Sequence, residues 1–475
     1  MQKQLPYYFS FLLLFSFTAV TAQQNLWHKT NNLPSSLMTL QGISPGKYLL
    51  SQINSEQLRS FLRSVPLENT NGNNSDGIPF SLPLPDGNML TTFIAESPIW
   101  NTVSTAQLGN LKTYILFDRL TKSILGRLTL TEAGISGIIF SDKGAIYINP
   151  VVQLGAGVHV SYFTKDETSP MSQCGGKEDI HSQLNTPNTI TSGDCKRRTY
   201  RLAVAATGEY TQWAGSQANA LAYITITINN ISALYNRDVN IRFSLVSPNS
   251  ILFTDPNTDP YPGTGYLDNG AIDANQIALD AYLGTNNYDL GIVFSKGWDR
   301  GYALFGVACN AALKGKSAAG ITYGQGANPV AGPQGFVFDL TVAHEIGHQF
   351  NATHSYASSA GFCNGFATAA AAFEPGGGST LMSYGGYSSC NTYVGYAEMY
   401  FHAGSIQQIA AYISSTGNCV IPVVTGNNPP VVSVAATSYN IPISTPFILS
   451  ATGSGRKWKY TPLQLGGNGW QFTFA

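Results

Sequence analysis

Charge is what this chain has least of. Of its 475 residues, 25 are Lys or Arg and 26 are Asp or Glu, 11% in all, against roughly 25% in an average domain. With a net charge of −1 it lacks the positive excess of a nucleic-acid binder or a polybasic membrane-surface protein. Long apolar runs are nearly absent too. The run from Phe9 to Val20 is shorter than the ~20 residues that span a bilayer, and no later segment is apolar enough. A basic start, Met1-Gln-Lys-Gln4, precedes it, and the small residues of Val20-Thr21-Ala22 follow. Residues 1–22 therefore read as a signal peptide, which predicts a secreted, extracellular protein with no membrane segment in its mature form. Internal repeats are missing as well. What is abundant is apolar material, 43% hydrophobic and 12% aromatic, which excludes a disordered chain.

The chain divides by texture. Residues 23–198 are strand-rich: Met89-Leu-Thr-Thr-Phe-Ile94, Thr113-Tyr-Ile-Leu-Phe117, Gly137-Ile-Ile-Phe140 and Ala145-Ile-Tyr-Ile148 are short β-branched and aromatic runs bounded by turn residues. From residue 165 the composition turns polar and ends in Lys196-Arg197-Arg198, which reads as a linker and a protease-sensitive boundary. Residues 199–420 alternate strands with longer helices. Leu221, Ile224, Ile228, Ile231 and Tyr235 line one face of a helix over 216–235, and a second helix is expected over 272–283. Strands are expected at 200–206, 239–246 and 290–294. Residues 421–430 form a linker, and 431–475 begin a β-sandwich-like module too short to complete one. The fold class is α+β.

Histidine is rare, 7 in the whole chain, yet three cluster in Ala343-His-Glu-Ile-Gly-His-Gln-Phe-Asn-Ala-Thr-His354. On a helix His344 and His348 project from one face, one turn apart, and at that spacing both reach a single tetrahedral Zn²⁺ at ~2.0–2.1 Å. Glu345 stands beside them as a general base for water. His354 lies six residues past His348; a continued helix would carry it about 240° round, so the helix must end between them. Asn351 supplies the left-handed residue for that turn. His354 then folds back as the third ligand, leaving a fourth position open. Chance gives this three-His, one-Glu spacing on the order of 10⁻⁴ times in a chain of this composition. His402, alone in Tyr-Phe-His-Ala, reads as structural or exposed.

This motif resembles the metzincin zinc-peptidase signature, with Asn351 where Gly is usual. Gly376-Gly-Gly-Ser-Thr-Leu-Met-Ser-Tyr384 looks like the Met-containing turn of that clan. The stretch from Thr199 to Cys419 resembles bacterial reprolysin-like metallopeptidases, including Gly306-Val-Ala-Cys-Asn310 and Glu374-Pro-Gly-Gly-Gly-Ser, and residues 23–198 resemble their propeptides. The resemblance implies a metzincin-type catalytic domain, a twisted mixed sheet with long helices, a zinc helix and a Met-turn. It implies Zn²⁺ on His344, His348 and His354, Glu345 as base, and protein or peptide substrates. Tyr384 occupies the position of a Tyr that, in some relatives, binds zinc or donates to the oxyanion. Met382 reads as a hydrophobic floor, since a thioether is soft for such a site.

Six cysteines in a secreted chain favour disulfides, and Cys309, Cys363, Cys390 and Cys419 allow three pairings. Cys174 has two readings, a thiolate switch on the zinc or a disulfide to Cys195. Ala318-Ala-Gly-Ile-Thr-Tyr323 reads as an edge strand to which an extended substrate adds. The function expected is a secreted zinc endopeptidase made as a latent precursor. The alternative is an extracellular adhesion or binding protein with a structural or vestigial zinc site.

Overall fold

The computed structural model describes residues 26–30, 47–69, 77–100, 109–151, 155–167, 173–174, 193–261, 263, 269–298, 300–321, 335–392, 394–426, 431–434, 447–448, 451–454 and 464–465. The expected signal peptide lies outside them.

The first unit runs β1 (Trp27–Lys29), β2 (Leu49–Ile53), α1 (Ser55–Arg63), β3 (Ile78–Pro83), β4 (Met89–Glu96), β5 (Lys112–Phe117), β6 (Ile124–Leu130), β7 (Ile135–Ser141), β8 (Gly144–Pro150) and β9 (Val158–Phe163). These strands form one antiparallel sheet in the order β1-β2-β9-β8-β7-β6-β5-β4-β3. From β3 to β9 every strand pairs with the next in the chain. Ser141 pairs with Gly144, for instance, across a two-residue turn. The sheet curls until its ends approach, and Trp27 Nε1 on β1 donates to the Ser81 carbonyl on β3 at 2.9 Å.

Period-two alternation sends Leu116, Leu128, Ile139 and Ile146 to one face, beneath Leu58 and Leu62 of α1. The opposite face carries Ile138, Tyr147, Val160 and Tyr162 into the core of the second unit. Burial on both faces explains why Gly137-Ile-Ile-Phe140 has no polar alternate.

The second unit comprises β10 (Gln173–Cys174), β11 (Lys196–Ala206), α2 (Gly208–Ala214), α3 (Gln217–Asp238), β12 (Ile241–Val246), α4 (Asn269–Leu283), β13 (Leu290–Lys296), β14 (Arg300–Ala303), β15 (Ser317–Ile321), α5 (Gly335–Gln349), α6 (Ala403–Ile413) and β16 (Val423–Val424). Its sheet runs β10-β14-β15-β13-β11-β12, with β16 on the start of β11. Strands β11, β12, β13 and β15 are parallel, β14 is antiparallel to β15, and β10 is parallel to β14. The fold is mixed α and β, as expected.

Three expectations change. Ser317–Ile321 is interior, flanked by β13 and β14, because four residues, Arg300–Ala303, fold back alongside it, with β10 beyond them. Lys196-Arg197-Arg198, read as the end of a linker, is already strand: Arg198 pairs with Ile241, Arg197 pairs with Val423, and both arginines are buried. The amphipathic helix read over 216–235 is buried nearly all round. Its apolar face packs on the sheet of the second unit. Its polar residues Thr225, Asn229 and Ser232 are buried too, and Asn229 meets the first unit.

Beyond residue 430, four short strands pair as β17 (Val431–Val434) with β19 (Ala451–Ser454), and β18 (Phe447–Ile448) with β20 (Gln464–Leu465). The rest of the expected sandwich-like segment lies outside the described residues. Among the described residues no helix is long and apolar enough to cross a membrane.

Candidate metal centre

Helix α5 is buried along almost its whole length and carries His344, Glu345 and His348. It stops where the sequence needs it to stop. Asn351 has φ +68°, the Asn351 N–H donates to the His348 carbonyl at 2.7 Å, and the Ala352 N–H to the Gly347 carbonyl at 3.0 Å. This pair of bonds is a Schellman closure, in which Asn supplies the left-handed residue. The remaining helix-end carbonyls are taken by the following loop of another element: the Gly306 N–H donates to His348, and the Val307 and Ala308 N–H groups to Gln349. The reversed chain brings His354 back, its ring centre 5.2 Å from that of His344 and 4.7 Å from that of His348.

Each imidazole is oriented by its outer nitrogen. Nδ1 of His344 donates to the Leu381 carbonyl at 2.8 Å, that of His348 to Ala352 at 2.7 Å, and that of His354 to Phe366 at 3.2 Å. A carbonyl only accepts, so in each ring Nε2 keeps its lone pair for the interior. The Nε2 atoms of His344 and His348 are buried with no hydrogen-bond partner. The three histidines place their ligand atoms within 4.8 Å of one another. Burial, then the neighbouring imidazoles, hold His344 down to about 3 and His348 well below the ordinary histidine range, so both rings are neutral. Three imidazole nitrogen donors with backbone-anchored rings fit Zn²⁺ and leave room for an open position.

Glu345 is fully buried beside β14. A Cβ on Gly301 would come within 2.2 Å of Glu345 Oε1, so only glycine lets the carboxylate lie against β14. Met382 forms the floor: its Sδ would meet a Cβ at Gly347 at 2.5 Å, which accounts for the glycine between the two helical histidines. Tyr384 is buried with its ring centre 4.8 Å from His354 and 6.2 Å from His344, stacked among Tyr356, Phe366 and Tyr387. His402 is structural, accepting from the Gly404 N–H at the start of α6 and stacking on Phe373.

Glu374, which has no role legible in the sequence, is a hydrogen-bond hub in the structure. Its carboxylate accepts from Ser355 Oγ at 2.6 Å, from the Ser379 N–H at 2.7 Å, from the Thr380 N–H at 3.0 Å, and from Thr380 Oγ1. It thereby ties the loop of the third histidine to the segment that leads into Met382. The signal available was a lone acidic residue in a charge-poor, glycine-rich stretch.

The disulfides are Cys309–Cys419 and Cys363–Cys390. The second closes the loop whose Phe366 carbonyl holds His354. Cys195 is unbonded, so the Cys174–Cys195 pairing is not made. The sheet gives the reason: β10 lies four strands from β11, on the order of 19 Å, far beyond the ~7 Å reach of a disulfide.

Residues 196–413 match the family described as metallo-peptidase family M12B, reprolysin-like. Over that stretch, a little under half of its length, the chain is similar to that family. Two solved structures are similar. Metalloproteinase-II from Bacteroides fragilis shares 14% identity at a TM-score of 0.38, covering 74% of this chain and 97% of its own. A chaperone–substrate complex shares 13% at 0.26, covering 60% and 39%. No curated protein matches. The reprolysin-like family uses zinc, and its match spans all three histidines, Glu345 and the Met-turn.

Proposed function

We propose that the chain is a secreted zinc endopeptidase made as a latent precursor, with His344, His348 and His354 as the metal ligands. The observation that carries this reading is the set of three imidazoles, each tethered through Nδ1 to a backbone carbonyl, next to a buried glutamate on the same helix. Zn²⁺, when bound, supplies Lewis-acid polarisation of the scissile carbonyl and acidifies water. Glu345 takes the proton of the attacking water and returns it to the leaving amine. Tyr384, packed on His354, is the proposed donor to the developing oxyanion. Strand β14 runs past Glu345 and, once β10 is removed, would be the edge an extended peptide joins. A structural or vestigial zinc site has no use for a carboxylate in that place, and structural sites are closed by a fourth protein ligand.

Support for latency comes from the same edge. Strand β10 pairs with β14 in the register Cys174 to Gly301, the residue against which Glu345 rests. The preceding segment thus lies where a substrate strand would lie. Cleavage would fall before Arg197, since Arg197 and Arg198 are buried in β11. With the Cys195 disulfide ruled out, Cys174 is the proposed thiolate switch. Cys174→Ser should then give a precursor that digests casein without cleavage; a fully latent variant would show that the strand alone blocks the cleft. The reading as a whole is tested on the purified, processed enzyme by metal analysis and casein digestion. Glu345→Gln should keep one zinc and lose roughly 10²–10⁴-fold in turnover. Wild-type turnover in that variant would remove Glu345 as the base, and no digestion by the zinc-loaded processed parent would favour a binding protein.

A further inference from the structure

Two of the three histidines hang from one carboxylate. His344 is oriented by the Leu381 carbonyl, and Leu381 follows Thr380. His354 precedes Ser355. Thr380 and Ser355 are both held by Glu374, which is buried. Its Oε2 accepts from the Ser379 N–H at 2.7 Å, from the Thr380 N–H at 3.0 Å and from Ser379 Oγ at 3.2 Å. Its Oε1 accepts from Ser355 Oγ at 2.6 Å and from Thr380 Oγ1. The backbone closes a circuit, since the Ser355 N–H donates to the Met382 carbonyl at 3.0 Å. The ring runs from Glu374 to Ser355, Met382, Leu381, Thr380 and back. Leu381 lies inside it, and His354 is attached to it.

A carbonyl that drifts takes the imidazole bonded to it along and turns Nε2 away from the common point. The backbone of Glu374 is fixed without its side chain: its N–H donates to the Ser355 carbonyl at 2.8 Å, and its own carbonyl accepts from the Ala357 N–H at 2.9 Å. The separate contribution of the side chain is to fasten Ser379 and Thr380 to Ser355. What that task requires is geometric. Two backbone N–H groups need an acceptor, whereas the Ser355 and Thr380 hydroxyls donate or accept equally well. Glutamine meets both demands, its oxygen accepting from the two N–H groups and its NH₂ donating to the two hydroxyls. Alanine meets neither and leaves the buried Thr380 N–H without its acceptor.

We propose that Glu374 is a positioning residue for the metal centre: it sets the zinc affinity of the histidines by holding the Leu381 carbonyl and His354 in fixed relation, through hydrogen-bond geometry and not through charge. The inference rests on the reading of His344, His348 and His354 as the zinc ligands. His348 is anchored by the Ala352 carbonyl at the end of its own helix and stands outside the ring. Loss of the Glu374 side chain therefore loosens two ligands and spares one. Groups that hydrogen-bond directly to metal-bound histidines tune metal affinity by roughly 10–100-fold. Glu374 acts one bond further out but on two ligands, so the lower end of that range is expected.

The test uses the full chain carrying Glu345→Gln, so that it does not process itself. Zinc affinity is read by competition with a chromophoric chelator, at a temperature where circular dichroism shows each variant folded. Glu374→Ala should weaken zinc binding by about tenfold or more, Ser355→Ala by less, and Glu374→Gln should stay within about threefold of the parent. With Co²⁺ in place of zinc, the visible absorption of the parent and of Glu374→Gln should coincide, and that of Glu374→Ala should differ. A purely structural role would lower the melting point of metal-free Glu374→Ala and leave both metal readouts unchanged, which overturns the proposal. A Glu374→Gln protein as weak as Glu374→Ala overturns it too, by assigning the effect to charge. Should Glu374→Ala fail to fold, Ser355→Ala decides, and parental zinc affinity in that variant is the overturning result. A parent that binds no zinc sinks the zinc-ligand reading itself, whereas equal binding by the parent and both alanine variants sinks this inference alone.

Discussion

The two sheets of this molecule are built by opposite rules. In the first, strands β3 to β9 form a meander in which each strand meets its sequence neighbour through a turn of a few residues. In the second, β11 pairs with β12 and β13 through long helical crossovers, and β14 intrudes from a loop. The meander is local, and its described residues gather no metal-ligand cluster. The crossover sheet brings the end of α5, the reversed loop at His354, the turn at Leu381-Met382 and Gly301 of β14 to one point. Chemistry arises where residues distant in sequence are forced together. The meander instead serves as a cover, with one face burying its own core and the other burying α3.

That contrast can be broken most forcefully at the metal. His354→Ala removes the one proposed ligand on the reversed loop. Zinc content and casein digestion should fall together, while secondary structure measured by circular dichroism stays. Stoichiometric zinc in that variant would mean that the crossover architecture does not build the site as described.

The next effect lies where the two units touch. Asp339 on α5 is fully buried and accepts from Tyr147 of the first unit and from Asn230 of α3, both at 2.8 Å. Burial raises its pKa from 3.8 to about 6, against the pull of those hydrogen bonds. The folded state thus binds the proton more tightly than the unfolded state. The resulting cost is absent below about pH 4, grows as pH rises, and is complete above about pH 6. Asp339→Asn keeps an acceptor and removes the charge, so the precursor should gain stability at pH 7, by at most about 3 kcal/mol, and gain nothing at pH 4. Denaturant melts at the two pH values check this; a gain independent of pH would refute it. Glu68, at the same interface, should behave in the opposite sense. Burial raises its pKa, but Arg242 and Arg127 more than reverse that and hold it at about 2, so its contribution is present above about pH 4.5 and fades on acidification.

The smallest expected effect is the most selective. Asn229 accepts from Arg127 and donates to the Leu128 carbonyl and to Thr129 Oγ1, all in the first unit. Asn229→Ala should cost the precursor about 1–3 kcal/mol, the penalty for stranding buried partners. After removal of the residues before Lys196 the same substitution has no partner left to strand, and the melting point should match that of the parent. Equal losses in both forms would show that α3 needs Asn229 for itself.

Much of this molecule is legible along the chain because the information is periodic or local. The helix over 217–238, the meander strands, the stop at Asn351 and the two helical histidines follow from spacing, β-branching and a single left-handed residue. What the chain alone misassigned has a common cause. Ser317–Ile321 resembles an edge until four residues of β14 cover it, the basic triplet at 196–198 resembles a linker until β12 and β16 flank it, and the polar side of α3 resembles a solvent face until Asn229 meets the first sheet. The two disulfides, the carbonyl behind each histidine and the staple at Glu374 belong to the same class. Each depends on which distant backbone comes to lie alongside, and periodicity carries no information about that. The sequence alone determined the metal-binding chemistry, because three histidines and a glutamate at that spacing need only a helix and a turn. Tertiary structure alone decided their surroundings, which turn each imidazole and leave space for the glutamate. Those surroundings come from burial by chain far away in sequence.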